Sequence, residues 1–268
     1  MSFAIISMLG HILALFAVVP VVWTRAKPEF TPNNPEKGDI EQLWNLPRNG
    51  TRAYNALLQS SFRKWYLTDE NGKILIPAVV TGEFSRSERV TMQDAIWRIM
   101  NNTCIRFIKR TDHKDYVDIT NERGQGCSAH VGRGKGRVRM QLESNERISC
   151  IKPRAVIHEL LHICGLWHEH MRHDRDNYIE ILYENIPEEI HHNFIKLSPS
   201  EATAYDLPYD YESVMHYRKN DGAMPSKISI RTKDPKYQDV IGYVEDASPI
   251  DYLKVCKIYG CKKCNGES

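Results

Sequence analysis

The sequence has almost no net charge, because 36 Lys and Arg residues oppose 34 Asp and Glu residues and leave a formal charge of +2. It also has no long block of like charge, no internal repeat and no low-complexity tract. Nucleic acids and anionic membranes are bound through concentrated positive charge, so neither is expected as a partner. The composition, 41% hydrophobic and 26% charged over 268 residues, is typical of one sizeable globular domain or two small ones.

Long hydrophobic runs are also missing, with one exception at the start of the chain. The segment "MSFAIISMLGHILALFAVVPVVW" is apolar up to Trp23, and Arg25 and Lys27 follow it. Two interpretations remain open, a cleaved secretory signal and a retained anchor helix that spans the bilayer. The polar and helix-breaking residues within the run favour the signal. Residues 1–26 are therefore predicted to be removed, and the rest to be secreted without stable membrane association.

The chain has seven cysteines, an odd number, at positions 104, 127, 150, 164, 256, 261 and 264. Outside the cytosol disulfides are the default, and an odd count leaves at least one thiol free or paired to another chain. Cys261 and Cys264 form a CxxC pair, but without a second such pair it does not predict a zinc site. Two potential glycosylation sequons begin at Asn49 and Asn101.

The hydrophobic pattern predicts alternating strands and helices. Strands are expected over residues 73–80, 104–110, 116–120 and 136–142. One helix is expected over 87–102 with Ser87 as its N-cap, a second beginning near Lys152, and a last from about Pro249 to Tyr259. The glycine-rich stretch 124–136 is predicted to be loop. Residues 27–48 are rich in proline and polar residues and are expected to need a partner surface to order them.

The stretch "HELLHICGLWHEH", residues 158–170, carries four histidines in apolar surroundings. On a helix, His158 and His162 lie on one face, one turn apart, so both imidazoles can reach one metal ion. Gly165 can end the helix in a left-handed conformation and let His168 approach the same point. Three neutral imidazoles are typical of a catalytic zinc site that keeps one position for water, whose pKa bound zinc lowers to about 7. We expect one zinc ion per chain.

Other residues near these histidines are assigned by the same reasoning. Glu159 lies beside His158 and is predicted to act as the general base on the zinc-activated water. His170 and His173 are predicted to be surface residues that do not bind the metal. The pattern HExxHxxGxxH predicts a downstream turn with a methionine beneath the metal, and "YESVMHY" supplies Met215 for it.

The string "HELLHICGLWHEHMRHDRDNYI" (158–179) resembles the astacin family of zinc endopeptidases, in which a glutamate follows the third histidine. Further segments match in order over about residues 36–261, among them "TCIRF", "GCSAHVGR", "SVMHY" and "IGYVEDASPIDYLKVCKIYGC". The resemblance implies an α+β, two-lobed fold. Its N-terminal lobe would hold a twisted mixed sheet and two long helices, and its C-terminal lobe would be irregular. An extended polypeptide substrate would lie in the cleft between them, along an edge strand.

The resemblance also implies residue roles. Tyr217 would stabilise the oxyanion and serve as a further zinc ligand, and Glu169 would meet the new N-terminus after activation. Asp39, in "KGDI", would bind the zinc in a latent form, although the family's usual phenylalanine three residues earlier is Glu36 here. Activation by another protease would follow Arg48 or Arg52, which the sequence leaves undecided.

The implied disulfides are Cys104–Cys261 and Cys127–Cys150. Cys164 and Cys256 would either pair with each other or remain buried thiols, and Cys264 has no assigned partner. The predicted organisation is a signal (1–26), a propeptide (27–52), a protease domain (53–264) and a short tail (265–268). Together these features predict a secreted zinc endopeptidase made as a latent zymogen. The rival hypothesis is an inactive, protease-shaped binding protein.

Overall fold

The computed structural model describes Asp39 and residues 55–197 and 202–266. The predicted signal, most of the propeptide, both candidate activation sites and Asn49 lie outside these residues. Asn101 is described and is exposed at the end of the first helix. Within the described ranges, no helix is both long enough and apolar enough to cross a membrane.

A five-stranded mixed sheet forms the frame of the N-terminal lobe, in the order β2-β1-β3-β5-β4. Its strands are β1 (Ile74–Val80), β2 (Ile105–Lys109), β3 (Tyr116–Thr120), β4 (Cys127–Ala129) and β5 (Arg137–Leu142). The first, second, third and fifth pair in parallel, and β4 runs antiparallel to β5 at one edge. The four predicted strands are confirmed to within one residue at each end, because alternating apolar side chains suit a sheet with one buried face.

Strand β4 corrects the prediction that residues 124–136 are entirely loop. Its three residues pair with β5, with Cys127 opposite Leu142 and Ala129 opposite Met140. The strand is too short to produce a periodic signal, and pairing with a neighbour and a disulfide at Cys127 order it instead. This correction matters because β4 is the edge strand nearest the candidate site.

Helix α1 spans Arg86–Asn102 and packs on the helix that carries His158 and His162. Its N-cap is Ser85 rather than the predicted Ser87, because Ser85 and Glu88 form a reciprocal capping box. The buried face consists of Met92, Ala95 and Ile99. Val90, although apolar, is 57% exposed.

Helix α2 (Pro153–Ile163) begins directly after Lys152, as predicted, and carries the histidine motif through the centre of the molecule. It ends where Gly165 adopts a φ of +106°. A Cβ at Gly165 would lie 2.9 Å from Leu57 Cδ1, so both the backbone angle and the packing require glycine here. Helix α3 has the predicted bounds, Pro249–Tyr259.

Two hydrophobic cores correspond to two lobes. The larger core joins the sheet to α1, α2 and α3. A smaller core surrounds the two-stranded sheet of β6 (Ile179–Ile181) and β7 (Ile230–Thr232), and the chain around it is mostly short 3₁₀ turns and loops. The predicted α+β class with a mixed sheet and an irregular C-terminal region is therefore confirmed.

Three disulfides link the described residues. The structure contains Cys104–Cys261, which connects the start of β2 to the end of α3, and Cys127–Cys150. The third is Cys256–Cys264, so a Cys164–Cys256 pair is ruled out. The chain turns back after α3 and brings Cys264 to Cys256, whereas Cys164 is a buried free thiol at the end of α2.

Candidate active site

Helix α2 presents His158 and His162 on one face, and both rings are oriented by backbone carbonyls. His158 Nδ1 lies 2.8 Å from the Val214 oxygen, and His162 Nδ1 lies 2.7 Å from the Leu166 oxygen. A carbonyl oxygen can only accept, so each Nδ1 must carry the proton. Each Nε2 is then left with a bare lone pair, which is the form in which histidine binds a metal.

The Nε2 atoms of His158 and His162 converge with the Nε2 atom of a third ring, His168, and with the carboxylate of Asp39. His158 Nε2 and His162 Nε2 are 3.1 Å apart. The Asp39 carboxylate lies 3.1 Å from His158 Nε2 and 3.0 Å from His168 Nε2. Gly165 makes this possible, because its turn reverses the chain and brings His168 back to the end of α2. All four ligand atoms lie within 4.8 Å of one another, and all four residues are buried.

This arrangement fits a zinc ion. Two nitrogens that both lack a proton cannot hydrogen-bond to each other, so their close approach needs a cation between them. Tetrahedral zinc with Zn–N bonds of about 2.0–2.1 Å would separate its ligand atoms by about 3.3 Å, close to the observed spacing. The donor set of three imidazoles and one carboxylate is one that zinc accepts.

Burial sets the charge state of the cluster. It lowers the pKa of His162 well below its usual value and lowers the pKa of His168 as well, so both rings remain neutral. For Asp39, burial acts to raise the pKa. Attraction to a proton held by His168 or His158 outweighs it, so the pKa of Asp39 falls well below its ordinary value and the carboxylate is ionised. A divalent cation displaces any such proton and binds the imidazoles in their neutral form together with the carboxylate.

Asp39 also contacts the edge of the sheet. Its backbone oxygen accepts a hydrogen bond from the Ala129 N–H of β4, at 2.9 Å. The Tyr217 hydroxyl donates to Asp39 Oδ1 at 3.4 Å. This residue of the predicted propeptide thus joins the edge strand and the metal cluster at once.

The segment around Met215 supports the cluster from below. Met215 is fully buried, and its carbonyl accepts the Glu169 N–H at 2.9 Å, which ties the turn to the residue after His168. Two residues on, the Tyr217 ring packs against His168 with centroids 4.5 Å apart. Burial, and then the charge of Asp39, raise the pKa of Tyr217 well above its usual value, so its hydroxyl stays protonated.

Glu159 is 2% exposed and follows His158 in α2. Its carboxylate is among the charges that raise the pKa of Tyr217, which places both residues in the electrostatic environment of the site. Its charge, its burial and its position beside a ligand histidine suit a group that exchanges protons there.

Glu169 is fully buried, and the charges around it come from within the folded chain. Lys254 Nζ contacts its Oε2, Arg172 Nη1 lies 3.3 Å from Oε1, and the Asp210 N–H donates to Oε1 at 3.0 Å. Both residues that could begin the mature chain, Asn49 and Ala53, lie outside the described ranges. The predicted contact with the new N-terminus therefore stays a prediction.

Lys254 was not identified from the sequence, although a signal exists. It stands three residues after Asp251 and four before Ile258, on the face of α3 that the structure buries. A lysine at such a position must have a buried anionic partner, because an isolated buried charge is too costly. The partner cannot be identified without the tertiary structure.

The prediction for His170 is wrong in one respect. His170 is not a surface residue but is fully buried, because its ring stacks on His168 at 5.3 Å and its Nε2 donates to the Asn193 oxygen at 3.0 Å. It is not one of the four clustered ligand groups. His173 is exposed, as predicted.

Comparison with known proteins gives a family match over most of the chain. The profile of the Astacin peptidase family matches residues 62–260. Zinc metalloproteinase nas-5 of Caenorhabditis elegans is 53% identical over 232 residues, covering 85% of this chain and 64% of that protein. Tolloid-like protein 1 of Homo sapiens is 33% identical over 236 residues, covering 87% of this chain and 22% of that protein. The chain thus spans less than two thirds of the length of these curated relatives.

Solved structures give the same result. High choriolytic enzyme 1, a hatching enzyme zinc-protease from the medaka fish Oryzias latipes, aligns with a TM-score of 0.69 and 31% identity. The alignment covers 78% of this chain and all of that one. Myroilysin aligns with a TM-score of 0.54 and 18% identity, which is evidence for the fold alone.

Proposed function

The chain belongs to the astacin family of peptidases, and on that premise we propose that it is a secreted, zinc-dependent endopeptidase made as a latent zymogen. The observation that carries the proposal is the convergence of three imidazole nitrogens and one carboxylate. His158 Nε2 and His168 Nε2 lie 3.1 and 3.0 Å from the Asp39 carboxylate, and His162 Nε2 lies 3.1 Å from His158 Nε2. His158, His162 and His168 would hold one zinc ion per chain. Asp39 would be its fourth ligand in the latent form.

The chemistry of peptide hydrolysis can be assigned to residues of the site. When bound, zinc would act as a Lewis acid that polarises the scissile carbonyl and lowers the pKa of water in the site. Glu159 would take a proton from the attacking water and pass it to the leaving amine, so the same residue would accept and return the proton. The Tyr217 hydroxyl, kept protonated by its raised pKa, would donate to the oxyanion that forms on the former carbonyl oxygen.

The substrate would be an extended polypeptide that lies along β4. An edge strand offers unpaired backbone groups on its open side, and an extended peptide can add to it as a further strand. The hydrogen bond from Ala129 N–H to the Asp39 carbonyl supports this binding mode, because a residue of the leader already uses β4 in that way.

Latency would follow from the same contact. With Asp39 among the imidazoles, its carboxylate occupies the place that a reacting water needs. Another protease would release it by cutting after Arg48 or Arg52. We further propose that residues 1–26 are removed during secretion, and that Asn49 and Asn101 are glycosylation sites.

One set of experiments tests the proposal. The chain is expressed in a secreting host, and its N-terminus is sequenced before and after activation by a trypsin-like protease. We expect the mature form to cleave peptides, to lose activity with a zinc chelator and to regain it with zinc. A retained N-terminal segment would contradict secretion by signal cleavage. A mature protein that binds zinc but cleaves no member of a broad peptide library would contradict the enzyme and support the binding-protein alternative.

The role of Glu159 needs a separate variant. Glu159→Gln should keep its zinc and lose about 10²- to 10⁴-fold in kcat, the usual contribution of a general base. Glu146→Gln, a change at an exposed glutamate outside the site, is the matched control and should keep full activity. Full activity in Glu159→Gln would remove this residue from the mechanism.

A further inference from the structure

Helix α1 presents an exposed stripe to solvent, on the side opposite its core contacts. The stripe consists of residues that recur at alternating spacings of four and three, namely Ser87, Val90, Asp94, Trp97 and Asn101. Trp97 is 60% exposed, although aromatic rings of this size are mostly covered in folded proteins. The opposite face of α1 packs on α2, so the stripe lies on the side of the helix away from the metal cluster.

No described residue covers the Trp97 ring. Its charged neighbours on the helix are already paired, because Arg98 contacts Asp94 at 2.8 Å and Asp246 at 2.6 Å. Within the described ranges, no aromatic ring or cation stacks on the indole. Trp97 therefore offers a flat apolar face to a group that the folded chain itself does not supply.

Asn101 lies one helical turn beyond Trp97 and begins the sequon Asn101-Asn102-Thr103. It is exposed, and its side-chain amide makes no hydrogen bond to a described residue. The next amide, that of Asn102, is engaged, since it donates to the Arg98 oxygen at 2.9 Å. On a helix, residues four apart have Cβ atoms about 5–6 Å apart, and side chains lean towards the N-terminus. A group attached to Asn101 would therefore extend over Trp97.

We propose that Asn101 carries an N-linked oligosaccharide whose first sugars stack on the Trp97 ring. The inference rests on the proposed secretion and glycosylation and adds a binding surface for the sugar. The Asn101 amide nitrogen would lose a proton and bond to C1 of the first N-acetylglucosamine, while the lipid pyrophosphate that carried the oligosaccharide departs. One face of such a sugar ring presents C–H groups, so stacking removes apolar surface from water while the hydroxyls stay hydrated.

A protein partner fits the stripe less well than a sugar. A stable protein interface buries about 800 Å² on each partner. The stripe has only two apolar side chains, Val90 and Trp97, and a buried tryptophan supplies about 150–250 Å². An attached oligosaccharide needs only one ring to stack on, and its bulk would keep a protein surface away from the same face.

Tryptophan fluorescence can report this contact, because Trp97 is the one exposed tryptophan among the described residues. Trp23 and Trp44 precede both candidate activation sites and would be absent from the mature enzyme. Trp65 and Trp167 are only 2% and 6% exposed. Quenching by acrylamide, which requires contact with the ring, should therefore report on Trp97 alone.

The mature enzyme from a secreting eukaryotic host is compared with Asn101→Gln, and mass spectrometry of the glycopeptide measures occupancy of Asn101. The glycosylated enzyme should lose most of the acrylamide-accessible emission that Asn101→Gln shows. Asn101→Gln/Trp97→Phe should have no accessible component, which assigns the signal to Trp97. Asn71→Gln changes an exposed asparagine outside any sequon and should keep the wild-type quenching.

A double-mutant cycle in urea measures the same contact through stability. The glycan should lower the equilibrium constant of unfolding by about 3- to 10-fold in the presence of Trp97, the usual range for an aromatic stacking contact. In Trp97→Ala this effect of the glycan should largely disappear. Alanine is a good helix former at an exposed position, so this variant should fold. The kcat/KM should be the same in all four proteins, because the stripe lies away from the metal cluster.

The contrary results are distinct from one another. An active, secreted enzyme without a glycan on Asn101 would overturn this inference and leave the peptidase proposal intact. A glycan that changes neither the quenching nor the cycle would overturn the contact with Trp97 and leave the glycosylation proposal intact. An assembled form of the glycosylated enzyme that Trp97→Ala dissociates would assign the stripe to a second copy and overturn the inference. A mature protein that cleaves no peptide would overturn the peptidase proposal alone, since quenching does not depend on activity.

Discussion

Replacing Lys254 with methionine should destabilise the protein by more than any surface change, because Lys254 and Glu169 form a fully buried ion pair. Both side chains have no solvent exposure. Burial alone would raise the pKa of Glu169, but Lys254 and then Arg172 outweigh it, and the pKa is lowered. Methionine keeps much of the lysine's length and leaves the Glu169 carboxylate buried with one positive charge fewer.

The size of the effect follows from what remains around Glu169. Removing one partner of a buried pair typically costs about 3–5 kcal/mol. Arg172 and the Asp210 N–H still contact Glu169, so we expect the lower end, about 3 kcal/mol. For a domain of this size that corresponds to a fall in Tm of about 6–12 °C. Lys257→Met, on the exposed side of the same helix, should change stability by less than about 0.5 kcal/mol.

Thermal and urea unfolding of the two variants, measured side by side, provide the assay. The double variant Lys254→Met/Glu169→Gln should lose less stability than the two single changes added together, because each single change leaves the other partner unpaired. The lowered pKa of Glu169 also fixes the pH dependence. The contribution of ionised Glu169 to the free energy of unfolding is present above about pH 4.5, the usual pKa of a glutamate, and is lost as the pH falls below that value. If Lys254→Met and Lys257→Met unfolded within about 1 kcal/mol of each other at pH 7, the reasoning would be refuted.

Three further outcomes are expected. Burial raises the pKa of the Cys164 thiol, so this thiol should not react with a thiol reagent in the native protein. In denaturant, one thiol per chain should react. A rapid reaction of the native protein would contradict the burial of Cys164. Replacing both members of Cys104–Cys261 with serine should lower the free energy of unfolding, measured in urea, by about 5 kcal/mol, because this disulfide closes a loop of 157 residues. The same change at Cys256–Cys264 should lower it by about 2.5 kcal/mol, because that loop has 8 residues. The reverse order of the two losses would contradict this reasoning. Unprocessed Asp39→Ala should cleave a fluorogenic peptide at a rate within about tenfold of the mature enzyme, which corresponds to about 1.4 kcal/mol. The unprocessed wild type should show no cleavage. An inactive variant would place latency elsewhere in the leader.

The sequence predicted those parts of the fold in which local pattern and tertiary environment agree. Helix α3 has the predicted bounds because a capping serine and a proline begin it and its apolar residues face the core. Strand β4 was missed because three residues carry no period, and it exists only through its pairing with β5. The N-cap of α1 was misplaced by two residues because Ser85 and Ser87 are both suitable, and only the contact with Glu88 distinguishes them.

For the candidate site, the histidine motif itself was sufficient to predict a convergent cluster, because helix spacing and one glycine fix the geometry. Partners from distant segments could not be predicted in the same way. Cys264 reaches Cys256 only because the chain reverses after α3, and Lys254 meets Glu169 from a separate helix. His170 was placed at the surface because nothing in the sequence shows that Phe194 and Tyr217 would cover it.

The most direct test of the account is the coordination of the metal in the mature protein, measured by metal analysis and zinc K-edge X-ray absorption. The account predicts one zinc ion per chain with three imidazole nitrogens at about 2.0–2.1 Å and no sulfur ligand. The Cys164 thiol should contribute nothing to the spectrum. A zinc–sulfur distance of about 2.3 Å, fewer than three imidazoles, or no bound zinc would contradict the central claim that His158, His162 and His168 share a single ion.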